Sequence, residues 1–255
     1  MNRAKGELTN SLIYIYMSKK RILLLACFIS IILFSCTPEI AGSGSIITQT
    51  YTPFSNFTKV SVDADIDVTV TYGLQKSVKV TGYSNLMDHF KISASGGVLR
   101  IGMKTEYTYT NMNLTAIVVM PSITQLTVTN AGNISIDTFP TTPNLTLVAE
   151  GSGNISALTA LRIGSLTTNI SSTGSIDISG TVNDENVEIS GSGNFNAYSL
   201  RSSNCTVNSM SSGNSYVNAR VLLTALISGS GNVYYKTYPD TTSTITGTGT
   251  LIDAN

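Results

Sequence analysis

The sequence predicts an all-β fold, a solenoid of stacked coils that are about 18 to 21 residues long. A short glycine phrase returns at a nearly constant spacing through the second half of the chain. Apolar residues alternate with polar ones on either side of that phrase, as they do in half-buried strands. An apolar stripe with helical periodicity is nowhere clear, and Asn85–Phe90 has room for one helical turn at most.

The glycine phrase appears seven times and defines the coils. It reads NAGNI, GSGNI, STGSI, GSGNF, SSGNS, GSGNV and GTGTL. Its second glycine falls at Gly132, Gly153, Gly174, Gly193, Gly213, Gly231 and Gly249, with periods of 21, 21, 19, 20, 18 and 18 residues. We expect these glycines to be the corners of the coils, because glycine reaches backbone angles that other residues avoid. The first glycine of GSGN also has inward parity, and we expect its lack of a side chain to let the corner close tightly.

Positions at an even offset from each corner glycine form the predicted core. Successive residues of a strand point to opposite faces, so these positions share one side of the chain. They are mostly aliphatic: Leu126, Val128, Ile134, Ile136, Leu147, Ala149, Ile155, Ala157, Thr168, Ile170, Ile176, Ile178, Val187, Ile189, Phe195, Ala197, Val207, Ser209, Ser215, Val217, Ala225, Ile227, Val233, Tyr235, Ser243, Ile245, Leu251 and Asp253. Stacked through successive coils, they predict continuous internal columns.

Asparagine recurs directly after the corner glycine. It stands at Asn133, Asn154, Asn194, Asn214 and Asn232, and the other two coils have Ser175 and Thr250 at this place. If the coils stack about 4.8 Å apart, these amides can hydrogen-bond along the solenoid axis as polar ladders do. We expect the ladder to be interrupted at Ser175.

The beginning of the chain has the features of an export signal. A basic patch, Ser18–Arg21, precedes the apolar run Ile22–Phe34. Leu33–Cys36 resembles a lipoprotein signal box, so Cys36 is the predicted lipidation site; an uncleaved anchor or a simple secretory signal is the alternative. A rival box at Leu24–Cys27 leaves too short an apolar core.

Three segments follow from these patterns. Residues 1–35 are the predicted signal region, with Met17 as the expected true start, because residues 1–16 fit no part of a signal. Residues 36–53 are expected to carry the lipid and a flexible tether, since they are small, polar and contain glycine. Residues 54–255 are the predicted folded domain.

The charge and cysteine content argue against nucleic-acid binding and against a disulfide bond in the mature chain. Removal of residues 1–35 takes away five basic residues and one acidic residue, which leaves ten basic and fourteen acidic ones. This mildly acidic balance gives no electrostatic basis for binding nucleic acid. If Cys36 is acylated, Cys205 has no disulfide partner in the mature chain, and we expect it to be a buried apolar residue.

Strand patterns also precede the repeat. Apolar and polar residues alternate through Val60–Thr71, and further strands are expected at Val78–Val80, Val98–Met103 and Ala116–Met120. The glycine phrase is not expected to bind nucleotides, because each copy is followed by another strand and not by a helix N-terminus.

Several segments together resemble a known family. They are the repeated GSGNI phrase, FTKVSVDADIDVTVTYG from Phe57, ISASGGVLRIGMK from Ile92 and VVMPSITQLTVTNAGNI from Val118. Over about Phe54–Ile252 they are similar, in order and spacing, to the head GIN domain family, described as putative autotransporter adhesin heads. The resemblance implies a right-handed parallel β-helix in an exported or lipid-anchored protein of the Bacteroidetes kind, and it brings no catalytic residues.

The titratable residues predict no catalysis. His89 is the single histidine, and beside Asp88 we interpret it as a surface residue; with Cys205 it cannot complete a zinc site. We therefore expect no catalytic residue, no metal and no cofactor.

Binding must come from residues that break the repeat or face outward. One candidate is an acidic cluster made of Glu150, Asp177, Asp184, Glu185 and Glu188. We interpret it as a solvated loop, whereas a carbohydrate-active enzyme needs such carboxylates to converge in a groove beside a basic residue. Another is the loop Glu106–Asn113, where Tyr107 and Tyr109 either cover an edge, as we favour, or form a binding platform. The outward Ser and Thr faces are the third.

The sequence thus favours a non-enzymatic, exported and lipid-anchored protein of the outer membrane, facing the periplasm or the cell surface. We expect it to contact the membrane through its lipid and a glycan or a protein at the cell surface, and to bind no nucleic acid. The alternatives are a carbohydrate-active β-helix enzyme, either a polysaccharide lyase or a hydrolase, and a passive structural envelope protein.

Overall fold

The computed structural model describes residues 37–52 and 56–255. Met17, Cys36 and the rest of the signal region lie outside the described residues. Contacts divide the described chain into two units. Residues 37–39 and 106–108 form the smaller one, in which the Thr108 amide donates to the Pro38 carbonyl over 3.0 Å. Residues 40–105 and 109–255 form the larger one, a β-solenoid of about six turns.

The first half of the chain contains short strands and the one turn of helix that the sequence allowed. The elements are β1 (Glu39–Ala41), β2 (Ile46–Tyr51), β3 (Lys59–Val62), β4 (Asp67–Tyr72), β5 (Ser77–Tyr83), α1 (Ser84–Met87), β6 (Phe90–Ser95), β7 (Val98–Met103), β8 (Thr108–Thr110) and β9 (Thr115–Met120). β1 pairs with β8 in a separate two-stranded sheet. β3 pairs in parallel with β7, and β4 with β9. β5 and β6 run antiparallel to β9 and β7, so this end of the solenoid is not purely parallel.

The second half of the chain is the repeat itself. Its strands are β10 (Gln125–Val128), β11 (Ile134–Ile136), β12 (Thr142–Ala149), β13 (Ile155–Ile170), β14 (Ile176–Ile189), β15 (Phe195–Ser209), β16 (Ser215–Ile227), β17 (Val233–Tyr235), β18 (Asp240–Ile245) and β19 (Leu251–Asp253). Each pairs in parallel with the equivalent strand of the next coil. β10 and β11 also pair with β3 and β4, which joins the repeat to the first half of the chain.

The predicted inward columns form the core through most of the repeat. From Leu126 to Val233 every one of these positions is buried, including the polar Thr168, Ser209 and Ser215. The last coil is the exception, because Ser243 and Asp253 are exposed and Ile245 is 45% exposed. β18 and β19 stack on β16 and β17 from one side only within the described residues, so their inner face is incompletely covered.

The prediction of a flexible tether over residues 36–53 is wrong for residues 37–52, the part that the structure describes. β2 pairs antiparallel with β5, from Ile46 opposite Tyr83 to Tyr51 opposite Val78. The preceding turn is held by Asn85, whose amide oxygen accepts from the Ser43 N–H over 2.8 Å. Small polar residues favour a tether, but the β-branched residues within Ile46–Thr50 suit a strand at a sheet edge, and pairing with β5 decides between the two.

The corner glycines stand at the corners, but not for the backbone angles that we expected. Among the described glycines, positive φ occurs at Gly44, Gly96, Gly97 and Gly180, and at none of the seven repeat glycines. What requires glycine is space. A Cβ at Gly153, Gly193 or Gly231 would overlap the carbonyl oxygen of the corner glycine in the preceding coil. The repeat therefore selects glycine for close backbone approach between coils.

A polar ladder of asparagine amides runs along the corners, and most of its hydrogen bonds join a side-chain oxygen to a backbone N–H of the next coil; Asn154 Nδ2 also donates to Asn133 Oδ1 over 3.1 Å. The Asn133 Oδ1 accepts from the backbone N–H of Asn154 over 3.0 Å, and the same side-chain-to-backbone bond recurs from Asn194 to Asn214 and from Asn214 to Asn232. It continues to Thr250 over 2.9 Å. At the other end, Asn133 donates its amide to Asp67 over 2.8 Å.

The expected interruption at Ser175 is wrong. The Ser175 N–H donates to the Asn154 Oδ1 over 2.9 Å, and the Ser175 Oγ accepts from the Asn194 N–H over 3.0 Å. The ladder needs only one side-chain acceptor in each coil, aimed at one backbone donor in the next. A hydroxyl meets that need as well as an amide does.

Replacement of Asn194 by alanine is expected to destabilise the solenoid. The change removes the acceptor of the Asn214 N–H, and the loss of a part-buried hydrogen bond of this kind costs about 1 kcal/mol. We expect Asn194→Ser to retain most of the stability, since Ser175 already performs this role. Thermal and denaturant unfolding measure the difference.

Asn186 supplies the matched control, because it is exposed on β14 away from the corners. Asn186→Ala is expected to unfold like the parent protein. Equal unfolding curves for Asn194→Ala and Asn186→Ala would contradict a stabilising ladder.

Candidate functional site

A concavity of the described repeat lies where the long strands bend. Two adjoining cavities of about 450 and 630 Å³ share Ser179, Tyr198 and Ser199 in their linings. We call the two together the Tyr198 groove. Both volumes fall in the range of ordinary ligand sites.

Unequal strand lengths create the groove. β13 has 16 residues, β14 has 14 and β15 has 15, and the strands stay in register at both ends. The extra residues are taken up at the bend, between Ala157 and Leu161 in β13 and between Asn196 and Ser199 in β15. The shorter β14 therefore passes between two longer strands and forms the floor of the groove.

Gly180 lies in this floor and has a backbone conformation that only glycine adopts without strain. Its φ is +132°, and a Cβ there would overlap the backbone of Leu161. The side chain that is absent at Gly180 also leaves the floor open. Leu158, 76% exposed, stands on the β13 side of the groove.

Tyrosines line the β15 and β16 side. The Tyr198 and Tyr216 rings lie edge to face with centroids 5.4 Å apart, and Tyr216 stacks on Tyr234 at 4.9 Å with an interplanar angle of 9°. The Lys236 ammonium lies 4.4 Å from the centre of the Tyr198 ring. Burial among these rings raises the pKa of the Tyr198 hydroxyl, so it stays protonated and available as a donor.

Polar side chains complete the two ends of the groove. At one end the Asn196 amide donates to the Asp177 carboxylate over 2.9 Å. At the other end stand Arg162, Arg201 and Asn218. The arrangement of rings beside planar hydrogen-bonding groups is suited to holding a polar ligand and includes no nucleophile paired with a base.

The sequence contains a signal for this groove, although the predicted site residues did not include its tyrosines. Tyr216 and Tyr234 both stand three residues after a corner glycine, an outward position that is visible when the outward positions are aligned as well as the inward ones. Tyr198 lies five residues after Gly193, also at an outward position, but Asn196 is the residue in register with Tyr216. The differences between the coil periods are visible in the sequence too, but their location within each coil is not.

The acidic cluster does not converge. Asp184 and Glu188 are exposed on the outer face of β14, and Asp177 lies in the Tyr198 groove. Glu185 is only 1% exposed, so its interpretation as part of a solvated loop is wrong. The side chain of Glu185 is buried because Glu185 pairs in register with Leu166 and Cys205, which are both core residues on the inward face of their strands.

Glu185 is a carboxyl group in an apolar interior. Neither carboxylate oxygen makes a hydrogen bond of good geometry, although the Ser202 hydroxyl and the Cys205 thiol lie beside it. The pKa of Glu185 is raised to about 7, because the effect of burial is larger than the opposite effect of the Ser202 hydroxyl and the Cys205 thiol. The pKa of the Cys205 thiol is also raised, mainly by burial and secondly by the charge of Glu185. Cys205 is a buried core residue, as expected.

The remaining sequence candidates are structural. The Tyr109 ring packs against the core and lies 5.9 Å from the His89 ring, and its hydroxyl donates to the Lys104 carbonyl over 2.9 Å. Within residues 37–52 and 56–255, no three His, Cys, Asp or Glu side chains are grouped to hold a metal ion. The same residues include no helix that is long and apolar enough to cross a membrane.

The fold and the groove define a class: a β-solenoid that presents a ligand-sized groove on its outer face. The chain belongs to the family described as putative auto-transporter adhesin, head GIN domain, whose model matches residues 56–239. The name of this family indicates a cell-surface or envelope protein. None of the curated proteins matches the chain.

Solved structures share the fold at low sequence identity. A putative adhesin from Bacteroides fragilis has 21% identity and a TM-score of 0.79, with 83% of this chain and 98% of that chain covered. A putative lipid binding protein from Parabacteroides distasonis has 21% identity and a TM-score of 0.70, over 84% and 100%. A putative adhesin from Parabacteroides merdae has 17% identity and a TM-score of 0.62, over 85% and 100%. The family and these relatives are named as adhesins or binding proteins, not as enzymes.

Substitution of Glu185 is expected to change how stability depends on pH. Because the folded-state pKa of about 7 lies above the ordinary value of 4.5, stability is greatest below pH 4.5 and falls as the pH rises to 7. The loss amounts to roughly 3 kcal/mol. We expect Glu185→Gln to unfold at a higher denaturant concentration than the parent at pH 8 and at a similar one at pH 4.5.

Glu188→Gln is the control, because Glu188 lies three residues further on and is exposed. Its unfolding curve is expected to follow that of the parent at both pH values. A constant difference between Glu185→Gln and the parent from pH 4.5 to pH 8 would contradict a buried titrating carboxyl.

Proposed function

We propose that the chain is an exported, lipid-anchored envelope protein that attaches to glycans through the Tyr198 groove and performs no chemistry on them. The observation that carries this proposal is the juxtaposition of Tyr198 and Tyr216 with the Asp177–Asn196 pair in one groove. Aromatic rings beside planar amide and carboxylate groups match a sugar, whose ring has apolar faces and a rim of hydroxyl groups.

The position of the groove supports attachment. It is open along the outer face, so a polymer chain can lie across it without threading into a pocket. Rigid neighbouring strands hold its side chains, which lowers the entropy lost on binding. A solenoid surface of this kind suits shallow contact at several points.

The lining argues for binding without catalysis. Asp177 is the only carboxylate that lines the groove among the described residues, whereas glycoside hydrolysis ordinarily uses a pair of carboxylates. Asp184 and Glu188, the exposed acids of β14, lie outside the lining. The carbohydrate-active enzyme therefore lacks the converging acids that it requires.

Replacement of the groove tyrosines is expected to weaken glycan binding. We expect Tyr198→Ala and Tyr216→Ala each to weaken binding about tenfold or more, as loss of an aromatic anchor does. The measurement uses the mature protein, extracted in detergent from the producing cells, on an array of neutral and acidic glycans.

Tyr238→Ala is the matched control, because Tyr238 is 85% exposed and does not line the groove. It is expected to bind like the parent. Absence of any glycan binding by the parent protein would favour a passive structural role, and parental binding by both Tyr198→Ala and Tyr216→Ala would exclude the groove as the site. Either result overturns the proposal.

The lipid anchor is proposed at Cys36, with Met17 as the start of translation. We expect Cys36→Ala to abolish incorporation of radiolabelled palmitate and to release the protein from the membrane fraction, whereas Cys27→Ala leaves both unchanged. Membrane retention and labelling of Cys36→Ala would contradict the assignment. Protease treatment of intact cells distinguishes surface exposure, which attachment requires, from a periplasmic location.

A further inference from the structure

We infer that the Tyr198 groove selects sugars that carry a carboxylate, such as uronic acids, and that Arg162 and Arg201 bind the acid group. The acid-sugar preference rests on the proposed glycan binding and names its ligand class. Four observations carry it.

The first observation is a column of side chains at one end of the groove. Arg162 pairs in register with Thr181, and Thr181 with Arg201. Neighbouring parallel strands are about 4.8 Å apart, so the two arginine backbones lie about 10 Å apart on either side of one threonine. Both guanidinium groups therefore stand over the same stretch of floor.

The second observation concerns charge. Arg162 and Arg201 are exposed, and neither forms a salt bridge with any described residue. The arginine of another cavity, Arg100, is by contrast within 3.8 Å of Asp63. Two uncompensated guanidinium groups in one groove attract an anion, and a guanidinium can donate two parallel hydrogen bonds to a carboxylate.

The third observation is the access to the floor between them. Thr181 is exposed and offers a hydroxyl, and Gly180 beside it has no side chain to block approach. Asn218 continues the column next to Arg201; its Nδ2 donates to the Tyr198 carbonyl over 2.9 Å, while its Oδ1 is buried and makes no hydrogen bond with a described residue.

The fourth observation is the separation of charge along the groove. Asp177 lies at the other end, in the cavity that Tyr198 and Tyr216 line. It repels an acid group there and accepts hydrogen bonds from neutral hydroxyls instead. The groove therefore orients its ligand, with the carboxylate over Thr181 and the uncharged sugar rim beside the tyrosines and Asp177.

The test compares oligogalacturonate with the same oligosaccharide after its carboxyl groups have been reduced. The full mature protein in detergent is expected to bind the acid form at least about tenfold more tightly, with weaker binding as salt increases. Arg162→Gln and Arg201→Gln are expected to lose this preference while they keep parental binding of the reduced form. Arg220→Gln is the control, because Arg220 is exposed outside the groove.

The outcomes separate the two proposals. Equal affinity of the parent for both oligosaccharides, or an unchanged preference in both arginine variants, overturns the selection of acid sugars and leaves tyrosine-dependent glycan binding intact. Tighter binding of a sulfated galactan than of oligogalacturonate also overturns it, in favour of sulfate. Binding of neither form, with no effect of the Tyr198 and Tyr216 variants on any glycan, overturns the proposed function itself.

Discussion

Register between stacked strands is the constraint on which the rest of this structure depends. Each coil hydrogen-bonds to its neighbours residue by residue, and at the corners the side chains after the glycines continue these bonds from one coil to the next. A residue is therefore placed by its offset from the corner more than by its own chemistry. Side chains at equal offsets become neighbours in space, which is why Tyr216 and Tyr234 stack and why Arg162 and Arg201 flank Thr181.

The same constraint explains the polar atoms of the interior. Glu185 occupies a position that Leu166 holds in the preceding coil and Leu223 two coils later. To move its carboxyl to the surface, β14 would have to slip by one residue, which would turn its whole apolar set outward. Burial of one carboxyl in its neutral form costs less than that slip. Thr168, Ser209 and Ser215 are buried for the same reason.

Features that depend on a residue's distance along the chain from its corner glycine could be predicted from the sequence. Features that depend on where a coil places its extra residues could not. The alternation of apolar and polar residues on either side of each corner glycine was sufficient to predict the buried core from Leu126 to Val233. The role of the glycines depends on a distance between coils, which a sequence does not contain, so backbone angles were the wrong explanation. The bulges at Leu158 and Tyr198 are hidden in the same way, because a period counts the residues between two corners without showing where the extra ones project. Glu185 was misplaced because its acidity was given more weight than its parity with Leu166.

A solenoid of fixed register has few ways to build a specific site, and this chain uses coil length. An extra residue can be absorbed only where the hydrogen-bond ladder is already broken, at a bend, and there it projects outward. One short coil between two longer ones is then sufficient to make a groove. Charge in that groove stays available for a ligand, because an ion pair between coils needs opposite charges at the same offset. The column from Arg162 to Asn218 contains no acid, so its two arginines keep their charge for an incoming anion.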